Sequence, residues 1–206
     1  DGNVAGAPAL QRFLPQRSLA GTSGDREGGN EMKVTSSAEA WLANATQRLE
    51  SDGFSISRDV SFAGQQFIVV AHRSRFELTK FGNSETFFVF GDVRTLDATL
   101  VQRFSSLAFE YAKKSKSFPL PCGVCESVYC FAVCVTDGLD ELTAESVRSR
   151  APTKHWAAAE IPVVYDRASG KVCFFERTPL WGAAYYKTFR NQIKKYLGVA
   201  SALTDS

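Results

Sequence analysis

The stretch PCGVCESVYCFAVC, residues 121–134, holds four of the chain's five cysteines. Thiolates at close spacing are the groups that grip zinc or exchange disulfides. Neither chemistry suits this pattern. Zinc ribbons and knuckles use two Cys-x-x-Cys pairs on tight turns, so that four sulfurs converge on one ion. Cys122 and Cys125 make one such pair, but Cys130 and Cys134 lie inside the apolar run ESVYCFAVCV, which reads as a strand. Four residues apart on a strand, those two thiols share a face yet stand roughly 13 Å apart. A thioredoxin-type pair opens a helix that follows a strand, where the helix end lowers the thiol pKa. Here CGVC precedes a strand. The expectation is therefore buried cysteines acting as small apolar residues, with Cys173 beside Phe174 among them.

Other reactive constellations are sparse. A phosphate-binding Gly-x-x-x-x-Gly-Lys-Ser/Thr loop and a Gly-x-Ser-x-Gly nucleophile elbow are both absent. The two histidines, His72 and His155, are too few for a multi-histidine metal centre. A nucleophile pair of His155 with a cysteine has the right residue types, but nothing in the spacing selects the partner. No metal and no cofactor is implied.

The elements that must position these residues follow from periodicity. The first 31 residues are rich in Gly, Ala, Ser and Gln and lack an apolar face, which predicts a disordered leader ahead of the only methionine, Met32. Met32 is a candidate native start. A processed targeting peptide is the rival, against which stand Asp1, Asp25, Glu27 and Glu31. A single domain is expected over residues 32–198, with a flexible tail over 199–206. Ser36 and Glu39 form a candidate capping box for a helix carrying Ala38, Trp41, Leu42, Ala45 and Leu49, stopped by Gly53. Three strands follow, FSISRDVSF, QQFIVVAHRSRFEL and ETFFVFGDV, with turns at Ala63-Gly64 and at Phe81 to Ser84. A second helix spans about Leu96 to Lys116, before Pro119 and Pro121. Then come the cysteine strand Glu126 to Thr136, a short helix from about Asp140 to Arg150, the loop APTKHW and a hairpin turning at Asp166 to Gly170. Thr178 as N-cap, Pro179 and Gly198 bracket a last helix with the stripe Tyr186, Phe189, Ile193 and Leu197. The fold class is α/β, with a mixed central sheet of αβββαβ core order followed by a helix, a hairpin and a C-terminal helix.

That αβββαβ order, over about residues 36–136, resembles the core of the restriction-endonuclease-like fold, with GFSISRDVSFAGQQFIVVAHR placed like the entry to its sheet. The resemblance implies an acidic residue and a Glu/Gln-x-Lys pair on adjacent strands, holding a divalent metal that orients water. This chain departs from that pattern. Gln65-Gln66-Phe67 stands where the strand acid would fall, and Glu77 and Lys80 are three apart, so on one strand they point to opposite faces. A metal-dependent nuclease would have to draw on Asp59, Glu77, Lys80 and Glu85. The segments SRFELTKFGNSETFFVF, APTKHWAAAEIPVVYD and ERTPLWGAAYYKTFR also resemble stretches of an uncharacterised family of prokaryotic, haloarchaeal-type proteins across about residues 37–197. That second resemblance implies a shared fold and brings no activity with it.

Charge gives the remaining functional expectation. A net charge of +2 is too small to argue for a polyanionic partner by itself, so placement decides. Lys187, Arg190 and Lys194 fall on one flank of the last helix, and Arg73, Arg75 and Lys80 cluster near a strand end. With Trp181, Tyr185 and Tyr186 these would form a basic, aromatic surface that tracks a phosphate backbone. The expected function is a degenerate, non-catalytic nuclease-like domain that binds nucleic acid through Arg73, Arg75, Lys187, Arg190 and Lys194. The alternatives are a protein-interaction or structural domain, and the metal-dependent nuclease. No apolar run reaches the roughly 20 residues of a membrane span, and five cysteines make an odd number, so a cytoplasmic protein without a membrane partner is expected.

Overall fold

A computed structural model of the chain describes residues 28–77, 82–117, 126–178 and 183–198. The expectations placed on residues 1–27, Lys80, Pro119, Pro121, Cys122, Cys125, Pro179, Trp181 and the tail lie outside the described residues. The fold is α/β: one seven-stranded mixed sheet with helices on both faces. The elements are α1 (Gly28–Ser51), β1 (Ser55–Phe62), β2 (Gln65–Glu77), β3 (Gly82–Asp92), α2 (Ala98–Ser115), β4 (Glu126–Thr136), α3 (Glu141–Ser149), β5 (Thr153–His155), β6 (Ala158–Asp166), β7 (Lys171–Phe174) and α4 (Ala183–Leu197). Strands run in the order β1-β2-β3-β4-β6-β5, with β7 also paired to β6. β1 to β3 form the antiparallel meander, while β3, β4 and β6 are parallel neighbours. Parallel strands with helices on both faces are buried on both sides, and β4 and β6 are accordingly near-continuous apolar runs.

The alternation along each strand sorts residues between two cores. Val69, Ala71, Phe88, Phe90, Phe131 and Ile161 meet Leu49 of α1 and Phe189 and Ile193 of α4. Val70, Phe87, Val89, Cys130 and Cys134 meet Phe104 and Phe109 of α2 and Val147 of α3. Cys130 and Cys134 are fully buried on one face of β4, and burial pushes both thiols far up, as it does Cys173, to about 11. Trp41 ties the two outer helices together: its ring stacks on Tyr165 and its Nε1 donates to the Leu197 carbonyl at 2.9 Å. At Gly91 on β3 a Cβ would run into the Phe104 ring, so the missing side chain is what lets α2 settle on the sheet.

Several expectations are corrected. α1 begins at Gly28, upstream of Ser36 and within the stretch read as leader, because nothing from Asn30 onward breaks a helix. β3 begins at Gly82, so Gly82, Asn83 and Ser84 are ladder residues paired with Glu77, Phe76 and Arg75, not a turn. The loop APTKHW contains the short strand β5, created by its pairing with β6. Tyr186, expected at the surface with Tyr185, is only 4% exposed. The Ala63-Gly64 turn forms as expected, both residues at positive φ as a type I′ hairpin requires.

Candidate nucleic-acid interface

On β2, Arg73, Arg75 and Glu77 alternate onto the face that α4 covers, beside Ser84 and Thr86 of β3 and Tyr129 of β4. Between this strip and the Tyr185, Thr188 and Gln192 side of α4 runs a groove of about 620 Å³. Phe76, also on its wall, and Tyr185 are 57% and 53% exposed, large figures for aromatic residues.

The two arginines are held differently. The Arg73 guanidinium donates to the Asp52 carboxylate at 2.7 Å and to its carbonyl at 2.9 Å, and sits 4.3 Å over the Phe54 ring. Lys195 at 3.0 Å and the Tyr196 hydroxyl complete the ring of donors around Asp52. Those hydrogen bonds, from Tyr196 first and Lys195 next, hold the Asp52 carboxyl well below the usual range. Arg75 is exposed and makes no ion pair among the described residues. Among the described residues it is the groove's available cation.

The flank of α4 that carries Lys187, Arg190 and Lys194 does not join this surface. At about 100° per residue the three fall within a ~60° sector roughly opposite Tyr185, Thr188 and Gln192. Arg190 is also occupied, donating to the Arg177 carbonyl at 3.1 Å and to Thr178 Oγ1 at 3.0 Å. Its role is to tie α4 to the segment before it. The continuous basic face that links Arg73 and Arg75 with Lys187, Arg190 and Lys194 is thus not formed, because docking of the stripe Tyr186, Phe189, Ile193 and Leu197 turns the two groups to opposite flanks.

The acids named for a metal-dependent reaction are also dispersed. Asp59 is exposed on the edge strand β1 at φ 53°, a left-handed backbone that interrupts the pairing between Arg58 and Val60. Glu77 faces the groove, whereas Glu85 is fully buried on the opposite face and bound to His72 Nε2. Lys80 lies outside the described residues. Among the described residues no group of three or more His, Cys, Asp or Glu side chains is arranged to hold a metal ion.

The α2 face holds Glu126 and Glu160, which the sequence did not single out, and Glu85, which it offered only for metal chemistry. Glu85, Glu126 and Glu160 stand on the adjacent strands β3, β4 and β6, at 0%, 4% and 6% exposure. Each has a basic partner: His72 for Glu85, Lys116 for Glu126, and His155 at 2.6 Å for Glu160, which also accepts from Ser106 at 3.1 Å. Phe87 and Phe109 stack flat on the two imidazoles. His155 is therefore paired with a carboxylate and not with a cysteine. In this trio the carboxylate stands between Ser106 and His155, so the imidazole has no hydrogen bond through which to activate the hydroxyl.

Comparison with family models, with curated proteins and with solved structures finds no match for this chain. Among the described residues no helix is long and apolar enough to cross a membrane.

Proposed function

We propose that this domain binds nucleic acid through the groove between β2 and α4 and performs no chemistry on it. The observation that carries the reading is Arg75, exposed and unpaired among the described residues, set in a groove walled by Arg73, Phe76, Tyr129 and Tyr185. A cation for the phosphates next to aromatic faces for the bases is the combination that recognises nucleic acid without reading its sequence. Ser84, Thr86, Thr188 and Gln192 add hydrogen-bonding groups that suit sugar and phosphate oxygens.

The test is retention of labelled single- and double-stranded DNA and RNA at two salt concentrations, with and without magnesium. The expected result is salt-sensitive retention without cleavage, weakened by Arg75→Ala and by Tyr185→Ala. Cleavage that needs magnesium would replace this reading with the nuclease, and no retention at low salt would remove it.

A further inference from the structure

Resting on that reading, we propose that the nucleic acid bound is single-stranded, and that it leaves the groove across the end of the sheet to stack a base on Trp156. Trp156 is 81% exposed, more than any other aromatic residue among the described residues. Its neighbour Ala157 sits at φ 55°, a conformation that costs a non-glycine residue free energy and persists only where its surroundings enforce it. They do so: the Ala157 carbonyl accepts from the Val128 amide of β4 at 3.1 Å, and His155 pairs with Ala158. The turn between β5 and β6 is thus a strained and pinned mount that holds an indole in solvent, where a core contact gains nothing from it.

The register places this mount at the same end of the sheet as the groove. Thr86 and Tyr129, both on the groove wall, are paired neighbours, Tyr129 pairs with Ala159, and Ala159 pairs with Lys154 of β5. Arg73 pairs with Thr86 at the head of this row, so Lys154 on β5 lies four strand spacings, or ~19 Å, from Arg73 on β2, and Arg75 stands two residues further along that strand. Lys154 points to the α4 face, its Nζ 4.5 Å from the Tyr186 ring centre, and makes no ion pair among the described residues. Among the described residues this end of the sheet therefore carries Arg75 and Lys154 for phosphates, with Phe76 and Tyr185 exposed on the groove and Trp156 exposed at the turn between β5 and β6. Flat aromatic faces in solvent serve unpaired bases, because a duplex keeps its base faces within its own stack.

The experiment uses the full chain with labelled oligothymidylates of about 4 and about 16 nucleotides, the span of site sizes such surfaces cover, and a duplex of the longer length. Affinity is read by anisotropy and stacking by quenching of tryptophan emission. Trp156→Ala is expected to weaken the longer strand by about 5- to 100-fold and to leave the short one, which fills the groove alone, unchanged. Trp156→Phe should keep most of the affinity while losing the quenching, and Lys154→Ala should lower the salt dependence for the longer strand only. Arg75-dependent binding that Trp156→Ala and Lys154→Ala leave untouched would overturn the path and spare the groove. Duplex bound as tightly as the single strand would overturn the single-strand assignment, and binding of no oligonucleotide would remove both this inference and the groove reading.

Discussion

Arg73 and Arg75 stand two residues apart on one face of β2, but among the described residues only the first is tied into the protein. Arg73 is locked between Asp52 and Phe54, so Arg73→Ala should lower stability as well as binding. Arg75→Ala removes a solvated cation and should change stability by less than about 0.5 kcal/mol. If Arg75 contacts a phosphate, the same substitution weakens nucleic-acid binding uniformly across sequences and reduces the slope of log affinity against log salt by about 1. Lys187→Ala and Lys194→Ala, on the far flank of α4, should do neither; a loss of binding equal to that of Arg75→Ala would show that the ligand follows the helix and not the groove. On the other face, Lys116 and Glu126 are 11% and 1% exposed as side chains, so Lys116→Ala strands a buried carboxylate. The expected cost is about 3–5 kcal/mol in chemical denaturation, whereas a double Lys116→Met, Glu126→Leu variant should recover most of it, since a well-packed apolar pair of similar volume replaces a buried ion pair without that penalty.

At the level of elements, the docking of α2 on β3 depends on Gly91. Gly91→Ala drives a methyl group into the Phe104 ring and should cost about 1–3 kcal/mol, visible as a lowered midpoint of thermal unfolding. Pairing it with Phe104→Leu should return part of the loss; no change in either variant would mean that α2 is not seated as described. Most elements were legible because their signals are local: the stripe of α2, the start of α3 near Asp140, and the Ala63-Gly64 turn need only neighbouring residues. What escaped depends on partners distant in sequence. β5 is three residues that become a strand only against β6. Glu126 and Glu160 carry no local signal, and Glu85 stood out only as an acid for metal chemistry, until the fold brings Lys116, His155 and His72 to them. The stripe of α4 says which side of the helix is inward, but only the path of the helix over the sheet decides whether Lys187 or Tyr185 borders β2, and the functional expectation turned on that choice.

Across the whole molecule, Asp52 joins parts that are far apart in the chain. It directly follows α1, accepts from Arg73 on β2, and accepts from Lys195 and Tyr196 on α4, so one carboxylate links three elements around the groove wall. These donors hold its pKa below the unfolded value of about 3.9. A depressed carboxyl pKa contributes stability that is complete above the unfolded value and is lost as pH falls through the folded one. Denaturation midpoints of the native chain should therefore hold near neutral pH and drop below about pH 4. Asp52→Asn cannot be protonated in that range and keeps weaker hydrogen bonds, so it should begin less stable at pH 7 and lose less on acidification, the two curves converging. Curves that stay parallel to low pH would assign the acid sensitivity to other carboxylates. Because Arg73 is oriented by Asp52 and lines the groove, Asp52→Asn should also weaken oligonucleotide binding at pH 7, where the native carboxylate is charged and holds the guanidinium in place.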